Sequence, residues 1–182
     1  GFVKELGVET RTMIYSPDFG SVERAILLAK AMGVSVLATP KKRKNGEVQP
    51  VDNVSYLDII RERFGTDAPV VCDRRVAIGK HLIMREDELD SGSTAVVTRK
   101  TFGDDVAGFH LVATHPVCSR GWKMKLFPRG ERQPFDTVWF GNTRPRGEEE
   151  SEYEGSTGSR VRHVSIEPVI AEALLKVIAH YG

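Results

Sequence analysis

Short apolar runs alternate with segments whose apolar residues recur at helical spacing, and this alternation constrains the fold more than any other feature. Thr12–Tyr15 (TMIY) predicts a strand and Ser16–Gly20 a turn. The following helix carries Val22, Ala25, Ile26, Ala29 and Met32 on one face and stops at Gly33. Ser35–Thr39 predicts the next strand, which Pro40 breaks before the basic run Lys41–Lys44 and an Asn45-Gly46 turn. Tyr56–Phe64 predicts a short amphipathic helix on Leu57, Ile60 and Phe64, and His81–Met84 a buried strand. That strand is expected to run into an acidic loop and a helix from about Ser93. Phe109–Thr114, Thr137–Phe140 and Val161–Ser165 predict further strands, with a helical stretch over Ser119–Phe127. The polar segment Arg146–Ser159 is expected to be an exposed, partly mobile loop. A closing helix places Ile170, Ala173, Leu174, Val177 and Ile178 on one face, with Pro168 in its first turn.

Strand–helix alternation of this kind predicts an α/β domain over residues 1–182, a mostly parallel sheet with helices on both faces. Ligands of such sheets bind beyond the carboxyl ends of the strands, so the loops at 16–21, 40–46, 85–94, 115–121 and 141–146 are the ones to examine.

Composition narrows the functional classes. The 26 Lys and Arg against 25 Asp and Glu leave a formal charge of +1, which argues against a general nucleic-acid or membrane-surface binder. No apolar run approaches the ~20 residues of a membrane span. Cys72 and Cys118 lie far apart and near no His/Cys cluster, so neither a disulfide framework nor a structural zinc is expected. The chain opens on Gly1 and shows no secretory signal, so a cytoplasmic protein with a preceding segment is expected.

The strongest chemical signal is residues 81–94, HLIM-REDELD-SGST. A buried strand delivers Glu86 and Asp87 at its carboxyl end, Asp90 follows, and Ser91-Gly92-Ser93-Thr94 opens a helix. Adjacent carboxylates accept hydrogen bonds from vicinal sugar hydroxyls, and free N–H groups with hydroxyls at a helix start suit a phosphate. Together they describe a ribose-5-phosphate pocket; a solvated acidic turn before a capped helix has the same spacing. Asp18, between a strand and a helix, reads as a helix N-cap or turn aspartate. His115 reads as a satisfied histidine at a strand end or as pocket lining, and Lys41–Lys44 as a solvated basic loop or as a cationic lid. Trp122, Trp139 and Phe140 read as core or interface, and Arg144 and Arg146 as rim residues or phosphate contacts.

The string Glu86-Asp87-Glu88-Leu89-Asp90-Ser91-Gly92-Ser93-Thr94 resembles the phosphoribosyl-binding loop of type I phosphoribosyltransferases, with Glu at the first acid and Ser93 at the second glycine. Ser16-Pro17-Asp18-Phe19-Gly20-Ser21-Val22-Glu23-Arg24-Ala25, Lys41-Lys42-Arg43, Ala113-Thr114-His115, Asn142-Thr143 and Ser165-Ile166-Glu167-Pro168 resemble, in order, segments of the C-terminal half of ribose-phosphate pyrophosphokinases. The resemblance implies a phosphoribosyltransferase-like fold and transfer of diphosphate from ATP to the 1-hydroxyl of ribose 5-phosphate or a related 5-substituted ribose. It implies that Lys41 and Arg43 are catalytic cations of a mobile loop and that Asp18 is a Mg²⁺ ligand. It places Glu86 and Asp87 on the ribose hydroxyls, Asp90, Ser91, Gly92, Ser93 and Thr94 on the 5-phosphate, and His115 and Asn142 near the nucleotide. A homologous N-terminal half and a homo-oligomer are implied as partners, with Trp139, Phe140 and a sheet edge exposed for contact when the chain stands alone. The stretch between Arg43 and Glu86 and the loop 146–159 are longer than the resemblance leads one to expect. A purine-type phosphoribosyltransferase using PRPP and a non-catalytic regulatory homologue are the other readings.

Overall fold

The computed structural model describes residues 11–39, 41–44, 47–50, 53–119, 121–129, 132–143, 161–172 and 175; of 41–44 and 47–50 it describes the backbone. Strand β1 (Thr12–Ser16) leads through Asp18 into helix α1 (Phe19–Met32), and β2 (Ser35–Ala38) follows. Gly33 ends α1 at φ 68°, its N–H reaching the carbonyls of Ala29 and Lys30. Strands β3 (Lys41–Lys44) and β4 (Glu47–Pro50) form an antiparallel pair. Helix α2 (Asn53–Phe64), β5 (Val70–Val71), a 3₁₀ turn (Arg74–Ala77) and β6 (His81–Leu89) come next. Helix α3 (Ser93–Lys100), β7 (Gly108–Pro116), α4 (Trp122–Leu126), β8 (Thr137–Gly141) and β9 (Val161–Val164) complete the order, and residues 167–172 are helical.

Seven strands form one sheet in the order β5-β2-β1-β6-β7-β8-β9, and every neighbouring pair is parallel. Side chains alternate across it as a strand requires. Ile14, Val36 and Ile83 pack with Val22, Ile26 and Ala29 of α1 and Tyr56 and Ile60 of α2 on one face. Met13, Tyr15, Leu82 and Met84 pack with Ala95 of α3 and Trp122 and Leu126 of α4 on the other. The expected parallel α/β sheet with helices on both faces is therefore what the chain forms.

The sheet grows one way from β1 through β2 to β5 and the other way from β6 through β7 to β9. The reversal falls between β1 and β6, which is where such sheets open a crevice at their carboxyl ends.

Several expectations are corrected. Residues 85–89 are not a loop: β6 runs to Leu89, its last residues pairing with β7 (Glu86↔Ala113, Glu88↔His115) beyond the end of β1. Water reaches this overhang, so charged residues can extend the strand. Lys41–Lys44 is likewise a strand in a two-stranded ribbon, not a loop. The helix expected over Ser119–Phe127 is confined to Trp122–Leu126, and that expected from Tyr56 starts at Asn53. Trp139 and Phe140 are not an exposed patch: they are 8% and 0% exposed, and Trp122 is 1% exposed, so all three belong to the core. Ile170 is 49% exposed. Pro40, Asn45, Gly46, Arg144, the 146–159 segment, Ala173, Leu174, Val177 and Ile178 lie outside the described residues.

Candidate functional site

The turn after β1 is locked by its own hydroxyls. Asp18 is extended (φ −154°, ψ 170°), and its Oδ1 accepts the Ser21 N–H at 2.9 Å, capping α1. The Ser16 hydroxyl donates to the Asp18 carbonyl at 3.0 Å and lies 2.6 Å from the Ser21 hydroxyl. The cap interaction thus engages one carboxylate oxygen of Asp18 at the mouth of the crevice.

Across the reversal point, β6 carries the paired acids. Asp87 is held from two sides, by Arg24 of α1 and by Arg85 at 2.6 Å. Arg85 also donates to the Thr114 hydroxyl of β7 at 3.1 Å. One ion-pair network therefore joins α1, β6 and β7 at their ends. Glu86 is more buried than a free carboxylate tolerates. Burial first, then the charges of Asp18 and Asp87, push its pKa up to about 7, against the opposing pull of Arg85 and Arg24.

Beyond Leu89 the chain turns into α3 around a cavity of about 220 Å³ lined by Glu86 and residues 88–95. Gly92 sits at φ 74° at the helix start, and a Cβ there would lie 2.9 Å from Leu126 Cδ2, so the turn requires glycine twice over. No side chain caps α3, which leaves its first N–H groups directed at the turn. The Ser91 and Ser93 hydroxyls lie 2.9 Å apart, and Lys125 Nζ of α4 donates to Ser93 Oγ at 2.7 Å. Helix-start amides, hydroxyls and a lysine at one small cavity form a cradle suited to a phosphate.

His115 and Asn142 have other partners. His115 Nδ1 is 2.9 Å from Thr143 Oγ1, which donates to the Thr114 carbonyl at 3.1 Å. Asn142 Oδ1 accepts the Ile166 N–H at 2.7 Å, and its amide reaches Glu167 Oε1 at 3.3 Å. Both side chains tie strand-end loops together, while the backbone of His115 pairs with Glu88 of β6. Lys41 and Arg43 occupy alternate positions of β3. Among the described residues no group of three or more His, Cys, Asp or Glu is arranged to hold a metal, and no helix is long and apolar enough to cross a membrane.

Arg24, Arg85 and Lys125 are the site residues that sequence reasoning missed. Arg24 lies within a motif quoted for other reasons, and Arg85 stands where an apolar strand turns charged. Lys125 is one of two lysines in a short amphipathic stretch, with no spacing relation to residues 90–94.

The parallel α/β sheet is of the phosphoribosyltransferase-like fold class, and at its reversal point paired acids stand beside an uncapped helix start. Comparison with known proteins narrows this. The chain is 27% identical over 165 residues to a ribose-phosphate pyrophosphokinase of Wolinella succinogenes, covering 91% of this chain and 44% of that protein. It is 26% identical over 166 residues to a ribose-phosphate pyrophosphokinase of Bordetella parapertussis, again covering 91% and 44%. Among solved structures, phosphoribosylpyrophosphate synthetase from Mycobacterium smegmatis superposes with a TM-score of 0.66 at 21% identity, over 99% of this chain and 49% of that one. No protein-family model matches the chain. The likeness to ribose-phosphate pyrophosphokinases thus runs through nearly all of this chain, which spans less than half the length of those relatives.

Proposed function

We propose that this chain is the sugar-phosphate-binding part of a ribose-phosphate diphosphokinase. The observation that carries the reading is the adjacency of the Glu86–Asp87 pair to the uncapped start of α3, with Lys125 on Ser93. In this reading residues 90–94 hold the 5-phosphate, and Glu86 and Asp87 accept hydrogen bonds from the ribose hydroxyls. The 1-hydroxyl oxygen then attacks the β-phosphorus of ATP. The bond from that phosphorus to the α,β-bridging oxygen breaks, AMP leaves, and the hydroxyl proton passes to solvent. Such transfer depends mainly on positioning and on charge stabilisation.

Arg24 and Arg85 hold the Asp87 carboxylate in place while the sugar binds. Lys41 and Arg43 stabilise the charge that builds as the β-phosphate is attacked. Mg²⁺ fits the chemistry of Asp18: the unbalanced acidity that raises Glu86 arises partly from Asp18, and a hard cation beside its carboxylate would offset it. When bound, the ion would neutralise phosphate charge. A homologous second half completes the nucleotide pocket in the longer protein, and the assembly is a homo-oligomer.

The test is AMP release from ATP and Mg²⁺ with ribose 5-phosphate and a panel of 5-substituted riboses. AMP formation dependent on the sugar supports the reading. Nucleotide formation from PRPP and a purine base, without AMP release from ATP, supports a phosphoribosyltransferase instead.

A further inference from the structure

A second cavity, of about 540 Å³, opens between α3, α4 and the segment before β8. Its size suits a small organic molecule. Val97 and Met124 flank it at 64% and 79% exposure, beside Pro128 and Pro134, so a body of apolar surface stays open to water. Lys100, Lys125 and Arg132 bring positive charge to the same cleft. Its acid, Asp104, is already paired with Arg132. Arg99 adds a buried cation, fixed by bonds to the Pro134 carbonyl at 2.9 Å and the Gly103 carbonyl at 2.7 Å.

One group in this cleft lacks what a buried polar atom needs. Gln133 Oε1 is buried and has no hydrogen-bond partner among the described residues. A carbonyl in that position calls for a donor, which a molecule in the cleft could supply once the Gln133 side chain turns toward it.

We propose that this cleft binds a small organic anion with a flat apolar body and a hydrogen-bond donor, and that its occupancy tunes the phosphate cradle through Lys125. The apolar walls take the body, the lysines take the charge, and Gln133 takes the donor. Ser93 borders both cavities, and Lys125 of the cleft donates to it at 2.7 Å. An anion in the cleft draws Lys125 away from Ser93 and lowers the affinity of the cradle for phosphate. Linkage then requires phosphate to weaken the anion by the same factor. The coupling rests on the reading of residues 90–94 as a phosphate site; binding in the cleft does not.

The probe is 8-anilinonaphthalene-1-sulfonate, which joins a sulfonate, flat rings and an N–H. Fluorescence titration of the full chain should show one saturable site. Val97→Glu and Met124→Glu, both exposed, should each weaken it at least tenfold with the thermal midpoint unchanged. Val164→Glu, on the apolar groove lined by Trp139 and Ile166, should not. Phenyl phosphate should displace the probe at least tenfold more tightly than phenol or inorganic phosphate. Saturating probe should lower the calorimetric affinity for inorganic phosphate about fivefold in the unaltered chain, and not in Lys125→Met. Probe binding that survives both cleft variants, or that is lost in Val164→Glu, overturns the site. Equal phosphate affinity with and without probe overturns the coupling. Phosphate that fails to bind even without probe counts against the cradle reading and leaves the cleft standing.

Discussion

Arg85 lies 2.6 Å from Asp87, two residues along the same strand, and the pair is tied to β7 through Thr114. Alternate residues of a strand share a face, so the guanidinium reaches the carboxylate without bending the backbone. At 24% exposure Arg85 is more sheltered than an ordinary surface arginine. Arg85→Met should raise the KM for ribose phosphate while Arg85→Lys restores part of it, because the charge returns without the second donor to Thr114. The same loss of a cation should move the Glu86 midpoint above 7, read by carbon NMR of its carboxyl. An unmoved midpoint would mean that Arg85 does not act on this carboxyl pair.

The Glu86 midpoint itself makes a pH prediction. Its folded pKa, about 7, stands above the ordinary 4.5. Between those values the folded state binds more protons than the unfolded state, so this group makes stability fall as pH rises from about 4.5 to 7. Sugar binding should run the other way, since the carboxylate accepts hydroxyls and forms only as pH rises through 7. Glu86→Gln should remove the Glu86 step from both profiles and leave any step from the phosphate's own titration. Unchanged profiles in that variant would assign the step elsewhere.

Much of this was legible in the sequence because burial on two faces demands apolar runs. TMIY, SVLA, HLIM and TVWF are strands for that reason. The REDEL extension of β6 was not legible, since an overhang wetted by solvent needs no apolar residues. The β3–β4 ribbon hid for a related reason: only its Asn45-Gly46 turn signal showed, and KKRK carries no alternation. Asp18, Glu86 and Asp87 could be placed at one end of the sheet because the strands of a parallel sheet all end on the same edge. Arg24 on Asp87 and Lys125 on Ser93 depend on how helices dock, which a single chain's spacing does not encode.

The cradle can be tested by separating its charge from its shape. Thr94 is exposed at the start of α3, so Thr94→Glu should abolish inorganic phosphate binding with little change in thermal midpoint. Gly92→Ala should lower both, by about 1–3 kcal/mol in stability, because it adds a strained positive φ to a collision with Leu126. Calorimetry with thermal melts checks both. Phosphate affinity retained in Thr94→Glu would remove residues 90–94 from the phosphate site.

The basic ribbon makes a prediction about turnover. Lys41 and Arg43 alternate with Lys42 along β3. Lys41→Ala and Arg43→Ala should each slow turnover by about 2–4 kcal/mol in barrier height, with KM little changed, and Lys42→Ala should cost less. Steady-state kinetics of the three variants decides. Equal losses would describe a diffuse basic patch.

At the opposite ends of the strands, His81 and His110 stack with ring centroids 5.4 Å apart, and His81 Nδ1 lies 3.1 Å from His110 Nε2. His110 Nδ1 lies 2.8 Å from Thr137 Oγ1. Two imidazoles this close share one proton comfortably and resist two. Burial first, with His81 adding to it and Asp136 opposing, pushes His110 down to about 4. Below about 6.5 the unfolded chain takes up a proton at this position that the folded chain refuses until about 4. Stability from this group is therefore complete above 6.5 and drains as pH falls toward 4, by up to about 3 kcal/mol. Thermal melts between pH 7 and 4 should show that slope in Glu86→Gln, where the opposing Glu86 step is absent, and adding His110→Gln should flatten it while lowering stability at pH 7. An equal slope in the double variant would place the acid sensitivity outside the histidine pair.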